Sequence, residues 1–399
     1  MKWRNQLLAL FCLIVFLAFG VFYFQHWVVQ KPFGIILFIG EGLDPARLAM
    51  ARIYAGGADT PLTIDSLPNT ALLKNYSLDF ATPDQAAAAT ALATGVRVKN
   101  GALGIDAEGK TLQNILELAH ENGRMTALVT NALLTNPTPA SFYAHTASLE
   151  NRDELARTLV ENADIDIVLG GGAADFLPTR KDGRRTDDLD LILELRGRGY
   201  DLVQNLEELD AVPRWRRAKL FGLFSRSELG FFDEVEARGA QPTLSDMVRR
   251  AIELLQYNGG GYVLVVHAGL MGKAAREKNA ERTLAEMVEL DRAVSIALRY
   301  AGTASTVIVC GDVGVGGLNL EGFPRRDQNG PALFEASPAA ARITWGSALS
   351  VPGDSPNESS QPAQNTAEDV VAFGTGLGSD ALHGTLENTT IFELIRDNL

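Results

Sequence analysis

The sequence predicts an α/β protein, a mostly parallel sheet covered by helices on both faces, carried behind one N-terminal membrane-spanning helix. Three observations predict it. Short apolar runs ending in glycine or a polar residue alternate with stretches of helical character, the pattern of repeated strand–helix units. These runs are apolar at nearly every position, as strands buried on both faces must be. The first of them follows an uncharged, proline-free segment long enough to cross a bilayer.

That segment, Leu7 to Phe24, reads LLALFCLIVFLAFGVFYF. At 1.5 Å per residue it spans roughly 27 Å, close to the thickness of the hydrocarbon core. Lys2 and Arg4 precede it, which keeps the N-terminus cytoplasmic and places the main domain outside, periplasmic or extracellular. Tyr23 and Trp27 stand where interfacial aromatics anchor the far end. A cleaved signal peptide is the rival, with Ala18-Phe19-Gly20 as its small-x-small site. Apolar bulk from Val21 to Phe24 favours an uncleaved anchor, and both readings require export. The expected organisation is an anchor over residues 1–30 and one domain over 31–399.

The first strand is GIILFIG (Gly34 to Gly40). An alanine-rich helix runs from Asp84 to Gly95, closed by its glycine. A helix from Thr111 to Glu121 leads into the strand MTALVT (Met125 to Thr130), and one from Arg152 to Val160 into IDIVLGGG, a strand with a glycine turn. Asp187 to Leu220 reads as helical with breaks and holds a basic cluster at Arg214, Arg216, Arg217 and Lys219. Then come a helix (Thr243 to Tyr257), the strand YVLVVHAG (Tyr262 to Gly269), a long helix (Ala280 to Ala301) and the strand TVIVCGD ending at Asp312. From Leu318 to Asn365 the composition shifts to Pro, Ser, Asn, Gln and Gly, a loop-rich excursion with a weak strand near Ala341 to Trp345. A strand (Asp369 to Phe373) and a helix (Thr390 to Arg396) close the chain.

A net charge of −13 argues against a nucleic-acid partner, which needs a basic stripe. The two cysteines form no metal-ligand spacing, and Cys12 in the apolar segment is badly placed to reach Cys310 at a strand end. The basic cluster is the usual composition of a solvated face, with anionic lipid headgroups as the alternative partner.

In parallel sheets, sites gather beyond the carboxyl ends of strands. Glu41 follows the first strand, Asn136 and Thr138 follow the strand at Met125, His267 ends the strand at Tyr262, and Asp312 ends that at Thr306. Asp84 and Gln85 open the alanine-rich helix. Glu41, His267 and Asp312 are donors for one divalent metal, Mg or Zn. Polar residues are common at strand ends, so spacing alone does not define a site.

The motifs do more. IILFIGEGL (Ile35 to Leu43), TPDQAAAATALATGVRVKNGALGID (Thr82 to Asp106), ALVTNALLTNPTPASFYAH (Ala127 to His145), VLGGGAADF (Val168 to Phe176), VVHAGLMGKAAREKN (Val265 to Asn279), VIVCGDVGVGGL (Val307 to Leu318) and NTAEDVVAFGTGLG (Asn365 to Gly378) are collinear with the motifs of one family. From Gly34 onward the chain resembles the alkaline phosphatases. The resemblance implies a three-layer αβα sandwich and suggests a homodimer.

It also implies a site that this sequence has altered. The family's nucleophilic serine, in D-S-A-A-S, falls on Gln85 after a retained Asp84. An amide offers no alkoxide to a metal, so no phosphoserine forms there. The metal-bridging aspartate of G-D-G-M becomes Glu41, one methylene longer. The magnesium-binding threonine matches Thr138, its partner two residues earlier becomes Asn136, and the glutamate of V-E-G becomes His267. Of the zinc ligands, the aspartate and histidine of I-D-x-x-x-H fall on Gly272 and Arg276, the histidine before T-x-E-D on Asn365, and the histidine of A-D-H on Val313. Only Asp312 persists beside Glu41. The phosphate-gripping arginine falls on Leu149, with Arg152 one helical turn on as the nearest substitute.

A full two-zinc centre is therefore not expected, and Arg276 is expected to set a fixed positive charge near the first lost zinc, neutralising leftover carboxylates. The leading expectation is a membrane-anchored, catalytically inactive homologue that binds a ligand or protein partner. The alternative is a remodelled hydrolase with one metal on Glu41, His267 and Asp312, near Thr138 or Asn136. A repositioned nucleophile at Ser141 or Thr90 is the third reading. His145, in the A-H segment, is expected to be structural.

Overall fold

The computed structural model describes residues 2–23, 32–161, 163–216, 218–322, 326–327, 329–334, 342–346 and 362–399. Phe24, Trp27, Arg217 and much of the excursion after Leu318 lie outside the described residues. An N-terminal helix, Lys2–Tyr23, contains an apolar stretch, Trp3–Val21, long enough to cross a membrane, and none of that stretch is buried against the rest of the chain.

The strands are β1 (Gly34–Gly40), β2 (Asn69–Lys74), β3 (Met125–Leu133), β4 (Ile167–Gly171), β5 (Asp201–Val203), β6 (Leu220–Leu223), β7 (Tyr262–Ala268), β8 (Thr306–Gly311), β9 (Gly314–Val315), β10 (Leu318–Glu321), β11 (Arg342–Trp345), β12 (Asn365–Thr366), β13 (Val370–Thr375) and β14 (His383–Glu387). Ten form one sheet in the order β14-β2-β13-β8-β1-β7-β3-β4-β6-β5. Within it β13 alone runs against its neighbours, β2 and β8. Two small antiparallel pairs, β10 with β11 and β12 with β9, flank it.

The pleat of β1 shows why the sheet needs helices on both sides. Ile36 and Phe38 enter one core with the helices Pro45–Gly56, Leu244–Leu255, Gly269–Arg276 and Ala280–Tyr300. Ile35, Leu37 and Ile39 enter the other, with Gln85–Thr94, Ile115–Glu121, Arg152–Glu161 and Thr390–Asp397. Successive side chains point to opposite faces, so a strand apolar throughout demands an apolar layer above and below. The result is the three-layer αβα sandwich. Each fully buried Ile or Leu contributes about 1.5–3 kcal/mol.

Several elements depart from the sequence reading. Asp187 to Leu220 is two short helices, Leu191–Gly197 and Leu206–Ala211, divided by β5. The helices Pro45–Gly56 and Gly269–Arg276 and the strands β2, β5, β6 and β14 are short or weakly apolar and leave no clear pattern in the sequence. In the basic cluster, Arg214 pairs with Glu253 at 2.9 Å, Arg216 pairs with Asp201, and Lys219 lies 3.2 Å from Asp164. Among the described residues each of these three cations has an acidic neighbour. Both cysteines are free, Cys310 buried.

The alanine-rich helix Gln85–Thr94 is buried on all sides, from Ala86 to Thr94. Asp84 caps it, accepting from Ala87 N at 2.8 Å and from Gly101 N at 2.6 Å. Gly95 ends it at φ 72°, and a Cβ there would lie 2.6 Å from the Phe392 ring.

His145 is structural. Its Nδ1 lies 3.0 Å from Gly104 O and its Nε2 2.8 Å from Glu117 Oε1, while Glu117 Oε2 also accepts from Asn114 N in a capping box. The bond to Glu117 holds the imidazole above its ordinary pKa of 6.5, against burial. A pKa raised by folding gives stability that is fully present below pH 6.5 and lost as pH rises through the folded value. Thermal melts of wild type and His145→Asn should differ most below pH 6.5, with the gap narrowing by up to about 1 kcal/mol toward pH 9; a pH-independent gap rules out the charged pair.

Candidate functional site

The loop after β1 is built first. Gly42 adopts φ 85°, and the fully buried Arg47 fills the space beside it. The Arg47 guanidinium donates to Gly42 O, to Glu41 O at 3.4 Å and to Val315 O at 2.8 Å. Glu41 is thereby fixed at the end of β1 with its carboxyl group buried, 3% exposed.

The helix Gly269–Arg276, directly after β7, supplies the partner. Asn131, near the end of β3, accepts from Gly269 N at 2.9 Å and Leu270 N at 3.2 Å, and donates to buried Glu286 at 3.2 Å. These bonds satisfy amides that a helix leaves unpaired at its start. With the helix so placed, Arg276 Nη2 donates to Glu41 Oε1 at 2.7 Å and its Nη1 to Asn365 Oδ1 at 2.9 Å. Asn365 donates in turn to Pro83 O at 3.0 Å. Burial raises the Glu41 pKa, opposed chiefly by Arg276 and then by a hydrogen bond from Gln85.

Gly272 explains the longer acid. A Cβ at Gly272 would lie 2.1 Å from Glu41 Cδ and 2.4 Å from its Oε1. The Glu41 carboxylate occupies the space that a side chain at 272 would take. Residues 41, 272, 276 and 365 are thus packed as one unit, with Arg276 neutralising the buried carboxylate.

Behind this pair lies a second buried group. Thr138, in the short helix Pro137–Ala140, donates to Asp312 Oδ2 at 2.8 Å, and Asp312 Oδ1 accepts from Val313 N at 2.7 Å. Burial and the charge of Glu41 push Asp312 up to about 7. His267 Nδ1 lies 3.0 Å from Thr130 Oγ1. Its Nε2 has no hydrogen-bond partner among the described residues and stands 3.8 Å from Glu41 Oε2. Burial drives the imidazole down to about 3, so it is neutral at physiological pH.

A cavity of about 620 Å³ opens over these groups, lined in part by Glu41, Gln85, Asn136 and Arg276. Its remaining charged wall, Glu228, Lys273, Glu277 and Lys278, was not read from the sequence. The signal was present: Lys273, Arg276 and Glu277 share one face of a helix at i, i+3 and i+4. Leu149 packs partly buried against the core, and Arg152 is exposed and absent from the cavity wall. Ser141 Oγ is committed to Pro137 O at 2.9 Å and Thr90 Oγ1 to Ala102 O at 3.3 Å, so neither hydroxyl reaches the cavity.

The residues do not fit a first zinc. Gly272 has no side chain, Arg276 is a cation 2.7 Å from the carboxylate, and the Asn365 amide is engaged at both ends. At the other expected zinc site, Val313 is fully buried with Ala88, Ala275 and Val315 and offers no donor. Of the three donors expected for a single metal, Glu41 and His267 face each other, whereas Asp312 is turned to Thr138 and Val313. Among the described residues no three His, Cys, Asp or Glu side chains gather to hold a metal ion.

Comparison with known proteins gives this arrangement its context. Residues 34–346 match the family model for alkaline phosphatase. The chain is 34% identical to alkaline phosphatase H of Pseudomonas aeruginosa, over 70% of this chain and 68% of that protein. It is 32% identical to the tissue-nonspecific isozyme of Gallus gallus, over 71% and 64%. The chain spans about two thirds of the length of these relatives. The alkaline phosphatase of the Antarctic bacterium TAB5 superposes with a TM-score of 0.75 at 22% identity, over 93% of this chain and 98% of that one. A variant of that protein has been solved with Mg bound. The Thermus thermophilus alkaline phosphatase gives 0.77 at 24%, over 93% and 92%. These superpositions support the fold.

Two pairs of substitutions test the packed unit. Gly272→Ala should cost about 1–3 kcal/mol by overpacking. The same change in a Glu41→Asp background should cost about 1 kcal/mol less. Equal costs in urea unfolding of both backgrounds would refute the coupling. Arg276→Met, which strips a buried carboxylate of its partner, should cost about 1–3 kcal/mol. Adding Glu41→Gln should restore much of that, and no recovery would mean the ion pair is not what Arg276 supplies.

Proposed function

The chain belongs to the alkaline phosphatase family, and from that premise we propose that it is a membrane-tethered member that binds a ligand or partner in its cavity without phosphoryl transfer. One observation carries the proposal: the guanidinium of Arg276 sits 2.7 Å from Glu41, bridging to Asn365, at the positions the family resemblance assigns to the first zinc. A guanidinium neutralises a carboxylate but has no lone-pair acceptor orbital for a hydroxyl, so it cannot lower the pKa of a nucleophile or of water as a Lewis acid does. Gln85 lies on the cavity wall where the nucleophile is expected, and its amide favours the charged form of Glu41. Nucleophile, metal and phosphate clamp act as a unit, and loss of a single member of such units costs several orders of magnitude.

What remains suits recognition. The wall carries Lys273, Arg276 and Lys278 against Glu41, Glu228 and Glu277, with the Gln85 and Asn136 amides between them. Lys273 is held by Glu277 at 2.7 Å. Such a set can orient a polar ligand through hydrogen bonds of both senses. The apolar helix Trp3–Val21 supports retention at the membrane with the cavity-bearing domain exported.

Purified full-length chain, supplied with zinc and magnesium, should give no turnover of p-nitrophenyl phosphate, trap no covalent phosphate, and carry less than one zinc per chain by elemental analysis. Robust turnover abolished by a chelator would overturn the proposal.

A further inference from the structure

We propose that Lys278 selects the ligand of the cavity, and that the ligand it selects carries a carboxylate. This deepens the preceding reading and rests on it. The observation behind it is a lysine in a backbone conformation that suits glycine. Lys278 adopts φ 54°. Among the described residues the other non-glycine positions with positive φ are Asp164, Asp182 and Asp188, whose short side chains can bond the local backbone there. Lysine lacks that compensation, and its Cβ crowds the following carbonyl.

The turn shows why φ must be positive. The helix Gly269–Arg276 closes with Lys278 N donating to Ala275 O at 2.9 Å and Asn279 N to Ala274 O at 2.9 Å. In this paired closure the residue after the cap turns left-handed and is usually glycine. Asn279 then caps the next helix, Ala280–Tyr300, accepting from Arg282 N at 3.1 Å. Glycine at 278 would make the same turn without strain.

A cation near a helix C-terminus is favoured by the helix dipole, but that does not account for position 278. Glu277, one residue earlier, has an unstrained φ of −77° and is an acid. The strain is met on the wall of the cavity of about 620 Å³, where Lys278 is one of three cations. Strained residues beside a cavity are held there for what their side chains do.

The chemistry of the wall sets the ligand class. An ammonium donates and does not accept, and its strongest partners are anions. A neutral acceptor needs no such residue, because Gln85 and Asn136 already offer amide donors. The acids Glu41, Glu228 and Glu277 stand on the same wall and balance Lys273, Arg276 and Lys278. A doubly charged phosphate meets twice the repulsion from those acids that a carboxylate meets. The balance favours a monoanion.

The test is ligand-observed NMR on the full-length chain with two carboxylate probes, benzoate for a small organic acid and N-acetyltriglycine for a peptide end. Their uncharged amides and inorganic phosphate are the controls. At least one carboxylate should bind more tightly than its amide and than phosphate, and the one that binds identifies the source. Lys278→Gly should weaken that binding by about tenfold or more while raising the urea midpoint, and Lys278→Arg should keep most of it. The inference is overturned if neither carboxylate binds, if amide or phosphate binds as well, if Lys278→Gly binds like wild type, or if its midpoint does not rise. Turnover of p-nitrophenyl phosphate would instead strike the underlying reading, so the two failures are told apart.

Discussion

The pairing of Arg276 with Glu41 is the constraint around which the site is arranged. A carboxylate 3% exposed at the end of a central strand needs a cation nearby, because desolvation of the charge costs several kcal/mol. A metal is one solution and a guanidinium is another. Once the guanidinium is chosen, the rest is confined. Position 272 must lack a side chain so that the carboxylate can lie over it, position 365 must accept the second arm of the fork, and the helix Gly269–Arg276 must start where Asn131 holds it. A metal would polarise a bound oxygen; the guanidinium satisfies the charge and does no more.

The polarity of the sheet then separates two surfaces. Every strand of the large sheet except β13 delivers its carboxyl end to the same side, and the polar residues that follow β1, β3, β7 and β8 meet there. The chain enters the sheet at the other side, behind Pro32 and Phe33, whose carbonyls accept from buried Arg124 at 2.9 and 3.2 Å. A parallel sheet thus keeps the entry of the chain and the cavity a strand length apart.

Much of this was legible in the residues. The apolar runs at Gly34, Met125, Tyr262 and Thr306 became the four central strands, because a strand buried on both faces leaves an uninterrupted apolar signature. The edge strands β5 and β14, and β6 next to β5, were not legible, being short and stabilised by neighbours distant in sequence. Motif positions picked out Glu41, Gln85, Asn136 and Arg276, all of which line the cavity. They did not separate those from His267 and Asp312, which lie behind the wall. Glu228 and Lys278 carried no motif and enter the site through loop geometry alone.

The sequence by itself determined the fold class, the apolar N-terminal helix ahead of a globular body, and which side chains stand at the ends of the central strands. Those depend on local chemistry: which side chains are apolar, which can ligate, which can attack. Tertiary structure alone decided that the residues at 41, 272, 276 and 365 answer one another. Glu41 and Arg276 are far apart along the chain, and whether a longer acid meets a missing Cβ and a guanidinium is a matter of distances of 2–3 Å that only the packed sheet and its helices fix.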